Sequence, residues 1–156
     1  MPTIRGNTML WEEKSADRLV ARQVCGLVEG TTISFEDPKQ QIGALKTIAE
    51  RVKDGKPYLI FPEGGYTDNK NELQEFKSGC FSCSLKSKTQ MVQVVIYDSW
   101  RKMDTNTFEK VRTQVYFLPP IPYEEYGKLR KHDVCELVKK RIQEKLDELK
   151  EADPRR

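Results

Sequence analysis

Residues 61–79 read FPEGGYTDNKNELQEFKSG, a polar stretch with three glycines between the apolar run Tyr58-Leu59-Ile60 and the segment CFSCSL. A buried strand leaving directly into Pro-Glu-Gly-Gly is an abrupt exit, and the insert is too long for a simple turn. Its neighbours decide what kind of sheet it leaves. Upstream, Thr31–Phe35 (TTISF) is β-branched and aromatic, which predicts a short strand closed by Glu-Asp-Pro. Asp37 then caps a predicted helix with Pro38 at its first position, an apolar face of Ile42, Leu45, Ile48, Ala49 and Val52, and Gly55 as its stop. PYLIF follows as a wholly apolar run, the pattern of a strand covered on both faces.

Downstream, SGCFSCSLK predicts a helix with Ser78 as its cap, MVQVVIY another buried strand, and RTQVYFL an alternating strand ended by PPIP. In the C-terminal part, Asp133 followed by Glu136 resembles a capping box. Val134, Leu137, Val138, Ile142, Leu146 and Leu149 form one helical stripe there. Strands alternating with helices predict an α/β fold with a mixed, partly parallel sheet flanked by helices. The domain reading is a lead-in segment over 1–24 with a short helix around Ala16–Val24, one α/β domain over 25–150, and a disordered tail over 151–156.

Composition narrows the function. The 156 residues carry 27 Lys plus Arg against 24 Asp plus Glu, a formal charge of +3, with both signs interleaved. Without a concentrated basic stripe, nucleic acid is not an expected partner. No window approaches the roughly 20 apolar residues of a membrane span, so any membrane partner is met at the surface. Cys25, Cys80, Cys83 and Cys135 are scattered and read as reduced thiols. Cys80 and Cys83 form a Cys-x-x-Cys with no second pair to complete a zinc site, and they read as packing residues. Asp68, Asn69 and Glu72 lack the alternation and central glycine of a calcium loop, so no metal is expected. Tyr123–Tyr126 (YEEY) reads as a surface loop after a proline turn, and Trp11 and Trp100 as packed aromatics.

In parallel sheets ligands sit beyond the carboxyl ends of the strands, where this insert lies. It offers a carboxylate at Glu63, backbone N–H groups at Gly64 and Gly65, and a cation at Lys77 beside a predicted helix start. That set suits a small anion such as a phosphate. An ordinary long surface loop with turn glycines is the competing interpretation.

FPEGG followed by LQEFKSGCF and a strand resembles the glycerolipid acyltransferases, in particular the bacterial 1-acylglycerol-3-phosphate acyltransferases, whose pattern is Phe-Pro-Glu-Gly-Thr-Arg, a gap, Phe-Lys-x-Gly, and a strand. The resemblance runs over about residues 25–150 and implies their fold, incomplete at its N-terminal side. It implies that Phe61, Pro62, Glu63, Gly64 and Gly65 hold the acyl acceptor, lysophosphatidate, with Lys77 as a further basic position. It also implies an acyl-CoA or acyl carrier protein thioester as co-substrate, no cofactor, phosphatidate as product, and a cytoplasmic protein in peripheral contact with the inner membrane face.

This chain departs from the pattern at several positions. Gly65 and Tyr66 stand where Thr-Arg is usual, leaving Lys77 or Lys70 to supply the cation, and Phe35 stands where an arginine is frequent. Gln90 and Gln93 replace two prolines. The family's His, four residues, Asp motif is absent from the 156 residues. Their single histidine, His132, lies in KLRKHDVCEL with Leu137 where the aspartate belongs. Two accounts follow: a C-terminal portion of an acyltransferase without its base, or a degenerate relative that binds glycerophosphate or lipid without turnover.

Overall fold

The computed structural model describes residues 8–12, 31–33, 37–65, 67–101 and 112–153. Helix α1 (Pro38–Lys53) shows most directly how sequence sets an element. The Asp37 carboxylate accepts from the backbone N–H groups of Lys39 and Gln40, which have no partner inside the helix. At the other end Gly55 sits at φ 83°, and Lys56 N–H to Arg51 O with Gly55 N–H to Val52 O close a Schellman turn. Ile48 and Ala49 are buried, with Leu45 and Val52 packed beside them. Ile42, expected on that face, is instead 65% exposed.

Strands β1 (Thr8–Glu12), β2 (Thr31–Ile33) and β3 (Tyr58–Leu59) form a sheet in the order β2-β1-β3, all parallel, with Leu10 opposite Thr31 and Thr8 opposite Tyr58. The predicted lead-in segment is therefore corrected: part of it is the middle strand of this sheet. The helix expected at Ala16–Val24 lies outside the described residues. β3 is also shorter than PYLIF suggests. Pro57 and Pro62 bracket the run, neither has an N–H to donate to a ladder, and Phe61 is 51% exposed rather than covered on both faces.

After the 61–77 loop comes a single 3-10 turn (Ser78–Phe81) and the short helix α2 (Ser82–Ser87). Ser78 is not a cap: Lys77 occupies that position, and it makes no side-chain capping hydrogen bond. α2 lies on α1, with Cys83 buried and its Sγ donating to the Leu45 carbonyl at 3.4 Å.

β4 (Val94–Tyr97) and β5 (Gln114–Phe117) pair antiparallel, Val95 opposite Tyr116. MVQVVIY was expected to be buried throughout; only one face is. Gln93, Val95 and Tyr97 point inward, whereas Val92, Ile96, Val115 and Phe117 are exposed on the other face. That is the period-two alternation of a sheet covered on one side.

The one-turn helix α3 (Tyr123–Tyr126) replaces the expected surface loop, and Tyr126 is fully buried. Its hydroxyl donates to the carbonyls of Ser84 and Thr89, which ties the end of α2 to α3. Burial pushes this phenol up to about 12, opposed by the Ser84 hydrogen bond. Tyr126→Phe is expected to cost about 1–3 kcal/mol, because it removes the hydrogen bonding of a fully buried hydroxyl to the Ser84 and Thr89 carbonyls; the urea midpoint measures it.

Helix α4 (Lys131–Glu151) lays Val134, Cys135, Val138, Ile142 and Leu146 against Phe76, Phe81, Val95, Tyr97, Ile121 and Tyr126, forming the main core. Asp133 sits inside the helix, its carboxylate accepting from the Arg130 backbone N–H at 3.3 Å, so it is the third helical residue rather than the predicted cap. The tail is ordered further than expected. The helix reaches Glu151, and the Asp153 carboxylate accepts from the Tyr97 hydroxyl at 3.2 Å.

Candidate acceptor site

The loop leaves β3 at its carboxyl end and turns at once. Gly64 N–H donates to the Phe61 carbonyl at 3.1 Å, and Gly64 sits at φ 77°, where a side chain is strained. The chain then runs out and returns. The Lys77 N–H donates to the Pro62 carbonyl at 2.7 Å, so the Phe-Pro-Glu-Gly-Gly and Phe-Lys-Ser-Gly motifs meet backbone to backbone.

Gln74 fixes the approach from within the loop. Its backbone N–H donates to Glu63 Oε2 at 3.1 Å, and its side-chain amide donates to the Gly65 carbonyl at 2.9 Å. One Glu63 oxygen is thus spent on bracing the loop. No ion pair joins Glu63 to Lys77; the two positions are brought together through the main chain. Glu63 is half-buried and the Lys77 side chain is exposed. Among the described residues, a Cβ built on Gly65 or Gly79 meets nothing within 4 Å, so their packing demands neither glycine. Both leave main chain open to a ligand.

The return strand of the loop is anchored by Phe76, which enters the main core at 5% exposure. Around it Lys139 pairs with Glu75 at 3.3 Å and Lys150 with Glu72 at 2.7 Å, both reaching across from α4. These partly exposed pairs contribute less than about 1 kcal/mol each. The buried phenyl ring is the stronger anchor.

Other candidates separate from this site. His132 is exposed in the first turn of α4. Lys70, the alternative cation, lies with its ammonium 5.3 Å from the centre of the Trp100 ring. Among the described residues no cluster of three or more His, Cys, Asp or Glu is placed to hold a metal ion.

Burial, with the neighbouring Cys83 and Cys135 adding to it, pushes the Cys80 thiol up to about 12. Burial pushes Cys83 up to about 11 against the opposing pull of Lys86. These are packing thiols, because the reactive form of cysteine is the thiolate. At pH 8 iodoacetamide is expected to label Cys80 and Cys83 much more slowly in the folded chain than in urea. Above the ordinary thiol pKa the unfolded chain loses these protons first, so stability is intact below about pH 9 and falls as pH rises toward 11–12. Site-resolved mass spectrometry and urea midpoints across that range check both.

Sequence reasoning found the two motifs but not Gln74, which looks like any polar loop residue. The only signal was its place between them.

A parallel βαβ segment thus feeds the loop in which the two motifs meet. The chain belongs to the glycerolipid acyltransferase family: the model of the Acyltransferase family matches residues 9–97, more than half of it. It is 31% identical over 71 residues to the chloroplastic 1-acyl-sn-glycerol-3-phosphate acyltransferase BAT2 of Brassica napus, covering 46% of this chain and 20% of that protein. In fold it is similar to the 1-acyl-sn-glycerophosphate acyltransferase PlsC of Thermotoga maritima. There the TM-score is 0.71 at 14% identity, over 93% of this chain and 57% of that one. The chain therefore spans about a fifth of the curated relative it matches. Among the described residues no helix is long and apolar enough to cross a membrane.

Proposed function

We propose that this chain carries the acceptor-holding part of a 1-acylglycerol-3-phosphate O-acyltransferase. In that reaction the free hydroxyl of lysophosphatidate attacks the carbonyl carbon of an acyl-CoA or acyl carrier protein thioester. A C–O bond forms, the C–S bond breaks, and the hydroxyl proton passes through a base to the departing thiolate, leaving phosphatidate. The observation that supports the reading is the 2.7 Å hydrogen bond from Lys77 N–H to the Pro62 carbonyl, which joins the two motifs through the main chain.

In this proposal Phe61 and Pro62 shape the turn, and Glu63 with the Gly64 and Gly65 backbone orients the glycerol. Lys77 meets the phosphate by a charge-assisted hydrogen bond. The site works by placing the hydroxyl rather than by supplying chemistry. The substrate is an amphiphile, so the protein meets it in peripheral contact with a membrane, on the cytoplasmic side. The 156 residues hold no His, four residues, Asp motif, and their single histidine, His132, stands exposed on α4. The 156-residue chain is therefore expected to bind acceptor without turning it over.

The test is purified chain with lysophosphatidate in detergent, read for binding and, with labelled acyl-CoA added, for phosphatidate. Saturable binding that lysophosphatidylcholine does not match, with no transfer, is the expected pair of results. Equal binding of both lipids contradicts the phosphate role, and measurable transfer contradicts the assignment of the base.

A further inference from the structure

We propose that Asn71 and Asp98 form a latch that holds the tip of the 61–77 loop against the end of β4, which makes Asn71 a positioning residue for the acceptor. The positioning role rests on the acceptor reading above; the latch itself does not. The two residues exchange hydrogen bonds: Asn71 Nδ2 donates to Asp98 Oδ1 at 2.9 Å, and the Asp98 backbone N–H donates to Asn71 Oδ1 at 2.9 Å.

Asp98 is built for this one geometry. It is 1% exposed, it follows the last residue of β4, and it sits at φ 63°, a left-handed conformation that asparagine and aspartate accept more readily than most residues. Arg101 Nε lies 3.2 Å from the same Oδ1 and balances the buried charge. Beside it Lys70, itself at φ 54°, and Arg101 both stand over the Trp100 ring, at 5.3 and 5.1 Å from its centre. Loop tip and strand end are thus joined by two independent contacts, one polar and one cation–π.

Between the tip and the acceptor motif the connection is short. Asn71 is three residues before Gln74, whose two hydrogen bonds hold Glu63 and Gly65. Asn69 and Glu72 bond to each other on either side of Asn71, closing the turn that carries it. Freeing Asn71 therefore loosens Gln74, and with it the carboxylate and main chain that face the acceptor. The end of β4 is in turn part of the main core through Tyr97, so the latch refers the acceptor geometry to that core.

Amide hydrogen exchange across residues 67–74 and the affinity for glycerol 3-phosphate test this on the full chain and two variants. In Asn71→Ala the loop amides are expected to exchange about tenfold faster while α4 keeps its rates, and affinity to fall about tenfold, the scale of one or two lost hydrogen bonds. Asn71→Asp keeps the size but sets a second carboxylate against Asp98, and is expected to do at least as much. Unchanged loop exchange in both variants overturns the latch. Faster exchange with unchanged affinity overturns the positioning role. Wild-type chain that binds no glycerol 3-phosphate overturns the acceptor reading and the positioning role with it, while the latch is still judged by exchange.

Discussion

Phe76→Ala is expected to lower the stability of the chain by about 3–5 kcal/mol, the range for removing a buried phenyl ring and leaving its cavity. The ring is 5% exposed within the main core, under α4, with the Lys139 ammonium 5.9 Å from its centre and Cys135 Sγ directed at its carbonyl. What distinguishes this position from the rest of the core is its place in the chain. It lies between Gln74, which holds Glu63, and Lys77, which closes on Pro62. Loss of the ring is expected to weaken acceptor binding as well as stability. Ile121→Ala, at a fully buried position bridged to Met91, serves as the control. It is expected to cost about 2–5 kcal/mol in urea denaturation while leaving affinity within about threefold. Equal losses of affinity in the two variants would remove the anchoring role from Phe76.

The second large effect is at the motif itself. Lys77→Ala is expected to weaken glycerol 3-phosphate binding by about 10- to 100-fold, the equivalent of one charge-assisted hydrogen bond, with almost no change in stability because the side chain is exposed. Glu63 is more informative, since its carboxylate has two oxygens and one of them already accepts from Gln74. Glu63→Ala removes both the brace and the charge. Glu63→Gln keeps an oxygen for the Gln74 N–H and loses only the charge. If Glu63 acts on the acceptor hydroxyl, both substitutions cut acyl transfer strongly in an intact relative. If it only braces the loop, Glu63→Gln retains most of the rate and Glu63→Ala does not. Calorimetry on the chain and turnover assays on the intact relative separate the two roles.

How far the sequence could be read follows from the range of the forces involved. α1 was legible from end to end, because Asp37, Pro38 and Gly55 act on backbone groups within a few residues of themselves. The apolar stripe of α4 was legible for the same reason: periodicity is local. β1 was not, since TMLWE neither alternates nor is rich in β-branched residues, and it becomes a strand by pairing with residues about 20 and 50 positions away. Tyr126 failed differently. In YEEY it has the surroundings of a loop residue, and only the arrival of the Ser84 and Thr89 carbonyls makes it core. At the site, the two motifs stood out by residue type and separation. Gln74 and Asn71 did not, because an amide in a polar loop acquires meaning only from the distant groups it bonds.

The central claim is that the two motifs form one site for a glycerol phosphate, and amide chemical-shift mapping during a glycerol 3-phosphate titration tests it most directly. The account predicts saturable shifts at Gly64, Gly65, Lys77 and Gly79 together, lost in Lys77→Ala. Saturable shifts elsewhere with these four amides unmoved, or shifts at one motif without the other, would contradict it.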